Sequence, residues 1–185
     1  MLDLKRSNRL VAAEVEHVRC DIFQAGSDLA GGKYYGSKDH PWTKEQGDYN
    51  LKYLISAALL DGQVGPTQLE AARIQAPDAQ AMVALVEVRP RRATHGSLPP
   101  RTRCRITVHT KDQRVLAKEH PGYEGGRDQP MSWDRTVEKF HWLSEAFTDE
   151  DLRKLTPAFS DCCYCLYVEW PWLGAHTPEE TRRWV

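Results

Sequence analysis

The chain has 185 residues, 41% hydrophobic and 28% charged, an ordinary globular mixture long enough to bury a core without disulfide or metal staples. With 25 basic against 26 acidic residues the formal net charge is -1, so no long-range field draws it to nucleic acid or an anionic membrane. The opening MLDLKRSNRLVAAEVE has no apolar run behind its basic residues and reads as no secretory signal, and the longest apolar stretch near the middle, Leu54 to Leu60, is too short to span a bilayer; a soluble, cytoplasmic protein is expected.

In chain order, residues 10–23 read as a short helical lead-in and then a strand, because Val18, Cys20 and Ile22 alternate onto one face. Residues 25–42 hold Gly26, Gly31, Gly32, Gly36 and Pro41 and are predicted to be loop. The clearest helix is predicted to begin at Thr43, whose spacing to Gln46 forms a capping box. Leu51, Leu54, Ile55, Ala58 and Leu59 follow along one face, and Gly62 supplies a left-handed stop. Shorter helices are predicted around 67–74 and 78–85, with Thr67 and Asp78 as caps.

Three strands follow. Val86 and Val88 share one face of the first, and Cys104, Ile106 and Val108 one face of the second. The third, RVLAKEH, returns after the polar turn Lys111-Asp112-Gln113 as a hairpin. One polar face per strand predicts an antiparallel or mixed sheet covered on one side. Beyond a Gly-rich connection at 122–126, Ser132 caps a helix whose apolar face is Val137, Phe140, Leu143 and Phe147, and Thr148 starts a last short helix through Leu155. That face has nothing local to cover it, so it is expected to dock on another domain or chain. The fold class predicted is α+β: a two-layer sandwich with an about four-stranded sheet packed on helices, plus a C-terminal helical extension.

Five cysteines, Cys20, Cys104, Cys162, Cys163 and Cys165, are odd in number and bunched near the end, a poor disulfide framework that fits a reducing compartment. The one C-x-x-C has only His176 nearby as a further zinc ligand, so inert thiols are the expected reading and no metal is assigned. Arg89, Arg91, Arg92, Arg101, Arg103 and Arg105 are the strongest local charge feature. They suit a polycarboxylate or a phosphate backbone, but a solvated strand face and loop is the preferred reading. The Gly-rich segments lack both the dinucleotide and the P-loop patterns.

Three stretches carry a family resemblance: TKEQGDYNLKYLISAALLDGQVGPTQL at 43–69, RCRITVHTKDQRVLAKEHPGYEGG at 103–126 and DQPMSWDRTVEKFHWLSEAF at 128–147. In order and spacing they resemble the C-terminal part of the MmgE/PrpD (2-methylcitrate dehydratase-like) family, across roughly residues 10–155. The resemblance implies a large helical domain followed by a smaller α+β lid, after which the chain returns to the helical domain. On it, 1–121 is the lid, 122–156 the returning segment, and 157–185 a divergent tail and a candidate for disorder. Family members dehydrate, decarboxylate or epimerise small polycarboxylates without an iron–sulfur cluster, and are typically dimers. The implied function is therefore the C-terminal part of a cofactor-free lyase, incomplete for catalysis alone, with a homodimer or a separate helical-domain chain as partner. The alternative is a non-catalytic binding or interaction module that keeps the lid fold. A weaker third reading is a nucleic-acid-binding domain using the arginines.

Dehydration of a hydroxy-polycarboxylate needs a base beside a carboxylate, an acid for the departing hydroxyl, and cationic or hydrogen-bonding groups for the remaining charge. By resemblance, Asp48 and Tyr53 are the catalytic candidates and Asn50 and Tyr49 the substrate-binding ones. Tyr49 departs from the family's usual histidine. The plain alternatives are a first-turn acid for Asp48 and a half-buried core tyrosine for Tyr53. The tail, with three of the five cysteines and three of the six tryptophans, departs from the family; a shifted reading frame or a truncation scar is the expectation there, and Met1, at what is mid-protein in the family, points the same way.

Overall fold

In a computed structural model the described residues are 1–32, 36–91, 104–120, 122, 124–126 and 129–143. Seven helices and four strands are described: α1 Leu2–Asn8, β1 Val15–Phe23, α2 Gln24–Ala30, α3 Lys44–Asp48, α4 Leu51–Asp61, α5 Ala71–Ile74, α6 Pro77–Ala84, β2 Val86–Arg91, β3 Cys104–Thr110, β4 Val115–His120 and α7 Trp133–Leu143. Short 3-10 turns at Ala12–Glu14 and Pro66–Leu69 complete them. The chain divides into two compact units, Met1–Gly122 and Tyr123–Val185.

The first unit is built on a mixed sheet in the order β2-β1-β3-β4. β1 runs parallel to β2, with Val18 opposite Val86, and antiparallel to β3, with Val18 opposite Val108. β3 and β4 form the expected hairpin, closed through Gln113 at a φ of 66°. Alternation sends Val18, Cys20, Val86 and Val108 to one face, where they are buried with Leu4, Leu10, Ile55, Leu59 and Met82 from the helical layer. Burying each such aliphatic side chain contributes about 1.5–3 kcal/mol, so this layer contact is the main support of the sheet. The other face carries His17, Arg19, Asp21, Glu87, Arg89, Arg105 and His109, half-exposed or exposed. This is the predicted α+β, two-layer class.

A second cluster, Tyr53, Ala57, Ile74, Ala79 and Val83, joins α4 to α5 and α6. α4 is therefore buried on two sides, wider than the single stripe read from its sequence. Its interior residues Tyr53 and Ile55 to Leu59 are all buried.

Three local expectations are corrected. A helix forms within 24–30 where loop was predicted: Gln24 Nε2 donates to Asp28 Oδ1 at 2.7 Å, and the Gly31 amide closes onto the Ser27 carbonyl at 2.8 Å. Gly31 also lets α2 lie close on β2, since a Cβ there would stand 2.9 Å from Val88 Cγ1. The helix predicted from Thr43 is two helices, because Tyr49 and Asn50 leave helical geometry and Asn50 caps anew. The short helical lead-in expected before β1 is the 3-10 turn Ala12–Glu14; a further helix, Leu2–Asn8, precedes it and is stopped by Arg9 at a φ of 49°. Thr67 and Asp78 are not caps: Pro66 and Pro77 open their turns, with Gly65 and Ala76 in the cap positions.

In the second unit Ser132 Oγ accepts the Arg135 amide at 3.2 Å, the predicted cap of α7. None of the described residues of α7 is buried, and Leu143 is 46% exposed. Phe147, the predicted helix after Thr148 and the tail lie outside the described residues. Among the described residues no helix is long and apolar enough to cross a membrane.

Candidate functional site

The segment 38–53 sets the four candidate residues. Thr43 starts α3 through the reciprocal box: the Gln46 amide donates to Thr43 Oγ1 at 3.4 Å, and the Thr43 amide to Gln46 Oε1 at 3.3 Å. Gly47 faces inward, and a Cβ there would stand 2.9 Å from Ile74 Cδ1, so any larger residue requires the Ile74 side chain to shift if α3 is to stay this close to α5. The helix then ends, and Asn50 begins α4. Asn50 is 1% exposed. Its Oδ1 accepts the Tyr53 amide at 3.1 Å, and its Nδ2 donates to the Lys38 carbonyl at 3.0 Å.

This break sorts the candidates into two sets. Asp48 lies at the surface and pairs with Lys44 Nζ at 3.0 Å. Tyr49 is 58% exposed. Asn50 and Tyr53 are buried and joined to each other. The Tyr53 hydroxyl donates to the Gln68 carbonyl, and burial pushes its phenol above the ordinary tyrosine value. Asp48 and Tyr49 are thus presented outward, while Asn50 and Tyr53 hold the frame behind them.

Behind Tyr53 lies a polar network that sequence reading missed. Gln68 Oε1 accepts the Gly65 amide at 3.0 Å, and Gln68 Nε2 donates to Asp61 Oδ2 at 3.2 Å. Arg73 grips Asp61 with two hydrogen bonds, Nε to Oδ2 at 3.0 Å and a terminal nitrogen to Oδ1 at 2.8 Å, and also holds Asp78 at 2.9 Å. The Arg73 hydrogen bond keeps the Asp61 carboxyl below the usual carboxylate value. A signal existed: Asp61 ends α4, where the helix dipole disfavours an anion, so a cationic partner was required. Lys38 was also missed. It is 5% exposed, and burial lowers its ammonium from the ordinary lysine value; nothing in a Gly- and Pro-rich stretch marks it in the sequence.

Positive charge accompanies the outward pair. Lys52, in the first turn of α4, pairs with Asp39 at 2.6 Å. Of the arginine cluster, the described members Arg89, Arg91 and Arg105 lie on the open sheet face instead. Arg89 pairs with Glu87 at 2.6 Å and Arg91 with Glu119 at 2.9 Å. Arg92, Arg101 and Arg103 lie outside the described residues, as do Cys162, Cys163 and Cys165. Among the described residues no group of three or more His, Cys, Asp or Glu side chains is placed to hold a metal ion.

A mixed four-stranded sheet, covered by helices that present a capped Asp-Tyr-Asn break at their rim, defines a two-layer α+β domain with a polar rim on its helical layer. The chain matches the MmgE/PrpD C-terminal domain over residues 1–160, and it belongs to that family. A comparison with curated proteins returned no match.

Proposed function

We propose that the chain is the C-terminal part of a cofactor-free lyase acting on small polycarboxylates, 2-methylcitrate dehydratase-like, and that it does not complete the reaction by itself. The family match over residues 1–160 carries this reading. In it, Asp48 moves a proton at the substrate and Tyr49 borders the bound carboxylates, with Lys44 and Lys52 nearby in sequence; Asn50, the other substrate-binding candidate, meets a carboxylate only by giving up its bond to the Lys38 carbonyl. Tyr53 is the second proton-transfer candidate. It can reach a substrate only by exchanging the Gln68 carbonyl for a substrate oxygen; otherwise it positions the Asn50 turn. The remaining catalytic groups come from a helical domain, in a cytoplasmic assembly formed as a homodimer or with a separate helical chain.

One observation favours a second reading, a binding or interaction module that keeps the lid fold without chemistry. Two of the four candidate side chains, Asn50 and Tyr53, are fully engaged in holding the fold.

Ultraviolet detection of an unsaturated tricarboxylate from 2-methylcitrate or citrate separates these readings. The expected result is no product from the chain alone and product once a family helical domain is added. Product from the chain alone would overturn its incompleteness. No product in either mixture would favour the module.

A further inference from the structure

Two of the described thiols lie against each other in the middle of the sheet. Cys20 of β1 and Cys104 of β3 bring their sulfurs to 3.6 Å, both reduced. In the antiparallel register Cys20 is opposite Ile106 and Cys104 opposite Ile22, so the two are diagonal neighbours on the core-facing side. Cys20 is fully buried, whereas Cys104 opens β3 and is half-buried. The pair therefore combines a half-buried thiol at the start of β3 with a fully buried one beside it.

We propose that Cys20 and Cys104 form a peroxide-responsive dithiol that closes to a reversible disulfide between the two central strands. Cys104 attacks first. Its thiolate sulfur bonds to one oxygen of a hydroperoxide, the O–O bond breaks, and the other oxygen leaves as hydroxide and takes up a proton. For hydrogen peroxide this gives a sulfenic acid and one water. Cys20 sulfur then attacks the sulfenyl sulfur, the S–O bond breaks, and the departing oxygen takes the Cys20 proton and leaves as a second water. Two thiols and one peroxide thus become one disulfide and two waters.

The division of labour follows from the pair's shared hydrogen bond. That bond lowers the Cys104 thiol from its ordinary value, while the same bond and burial raise Cys20. Reactivity follows the thiolate, and Cys20, sealed in the core, is the thiol held further from ionisation, so Cys104 is assigned the first attack. Reversibility follows from the ladder. Diagonal partners in a regular antiparallel pair have Cα atoms about 7–8 Å apart, at or beyond the usual disulfide span of about 4.4–6.8 Å, so closure draws β1 and β3 together and leaves a bond that thiols reduce readily.

The test uses the full chain, as wild type and with Cys162, Cys163 and Cys165 changed to serine. Each is treated with equimolar hydrogen peroxide, quenched with an alkylating reagent, and examined by intact mass and peptide mapping. The expected result is loss of two hydrogens and one peptide link joining Cys20 to Cys104, both reversed by dithiothreitol. In Cys20→Ala the same dose should leave Cys104 as a sulfenic acid trapped by dimedone. If that variant does not fold, Cys104→Ser serves, with Cys20 expected to stay unmodified. Both residues recovered as alkylated thiols, a link confined to the tail cysteines, or Cys104 carried to sulfinic acid without a link would each overturn the proposal.

Discussion

Asn50 and Tyr53 are tied by one buried hydrogen bond, from the Tyr53 amide to Asn50 Oδ1 at 3.1 Å, and this bond decides where α4 begins. The same side chain holds the Lys38 carbonyl at 3.0 Å, so one residue fixes both the helix start and the segment leading to it. Asn50→Ala removes a cap and leaves a buried carbonyl without its donor. A loss of about 2 kcal/mol is expected in urea unfolding, from a cap worth ~1 kcal/mol and an orphaned group worth at least as much. A loss below ~0.5 kcal/mol would mean that the break at 49–50 is set by something other than Asn50.

Tyr53→Phe separates the two roles open to this phenol. It strips the donor from the Gln68 carbonyl while leaving the ring in the Ile74 and Val83 cluster. Stability should fall by about 1–2 kcal/mol, the cost of one unsatisfied buried acceptor. Turnover by the complemented enzyme, corrected for the folded fraction, should fall less than tenfold if Tyr53 only positions the Asn50 turn. A drop of ~100-fold or more, the scale of a lost general acid, would place the hydroxyl on the substrate. Asp48→Asn in the same assay should lower kcat on that larger scale with little change in stability, because Asp48 pairs with Lys44 at the surface.

The grip of Arg73 on Asp61 gives the fold a pH dependence of definite sign. Folding holds the Asp61 carboxyl below its unfolded value, chiefly through the Arg73 hydrogen bond. Its contribution is therefore present above the unfolded carboxylate value of about 3.9 and is lost as pH falls toward the lower folded value. Arg73→Gln should lower stability at neutral pH by roughly 1 kcal/mol, and the gap between variant and wild type should narrow below about pH 4. Urea midpoints measured from pH 7 to pH 3 check this. A gap that stays constant across the range would assign the loss to packing of the Arg73 stem rather than to the ion pair.

Period-two patterns made the sheet legible. Val18, Cys20 and Ile22, then Val86 and Val88, then Cys104, Ile106 and Val108 were read onto one face, and these positions meet across β2, β1 and β3. The polar turn at 111–113 marked the hairpin. The helical layer was less legible, because a capping box at Thr43 announces a start and says nothing about how soon the helix stops. Asn50 was read as a site residue; it is also the cap that starts α4, through the Tyr53 amide, and its long-range tie to the Lys38 carbonyl has no local sequence signal. Similarly, Tyr53 carries a family resemblance and a core position in one residue, and sequence does not reveal which acceptor its hydroxyl meets. The Asp61–Arg73–Asp78 clamp spans separate turns, and its partners are not at helical spacing.

Thr107 offers an opposite kind of change, one that should stabilise. It lies in β3, opposite Arg19 on one side and Ala117 on the other, and it is 5% exposed. Among the described residues its Oγ1 is buried without a hydrogen-bond partner. A hydroxyl desolvated in this way costs about 1–3 kcal/mol relative to one that is bonded, and valine matches its shape while removing the polar atom. Valine also suits a central strand, since a second β-branched methyl packs on the pleated surface without new rotamer freedom. Thr107→Val should therefore raise the urea midpoint by an amount equivalent to about 1 kcal/mol, with an unchanged slope. A loss of stability would instead mean that the hydroxyl is bonded in solution, with a bound water between the Arg19 and Ala117 positions as its partner.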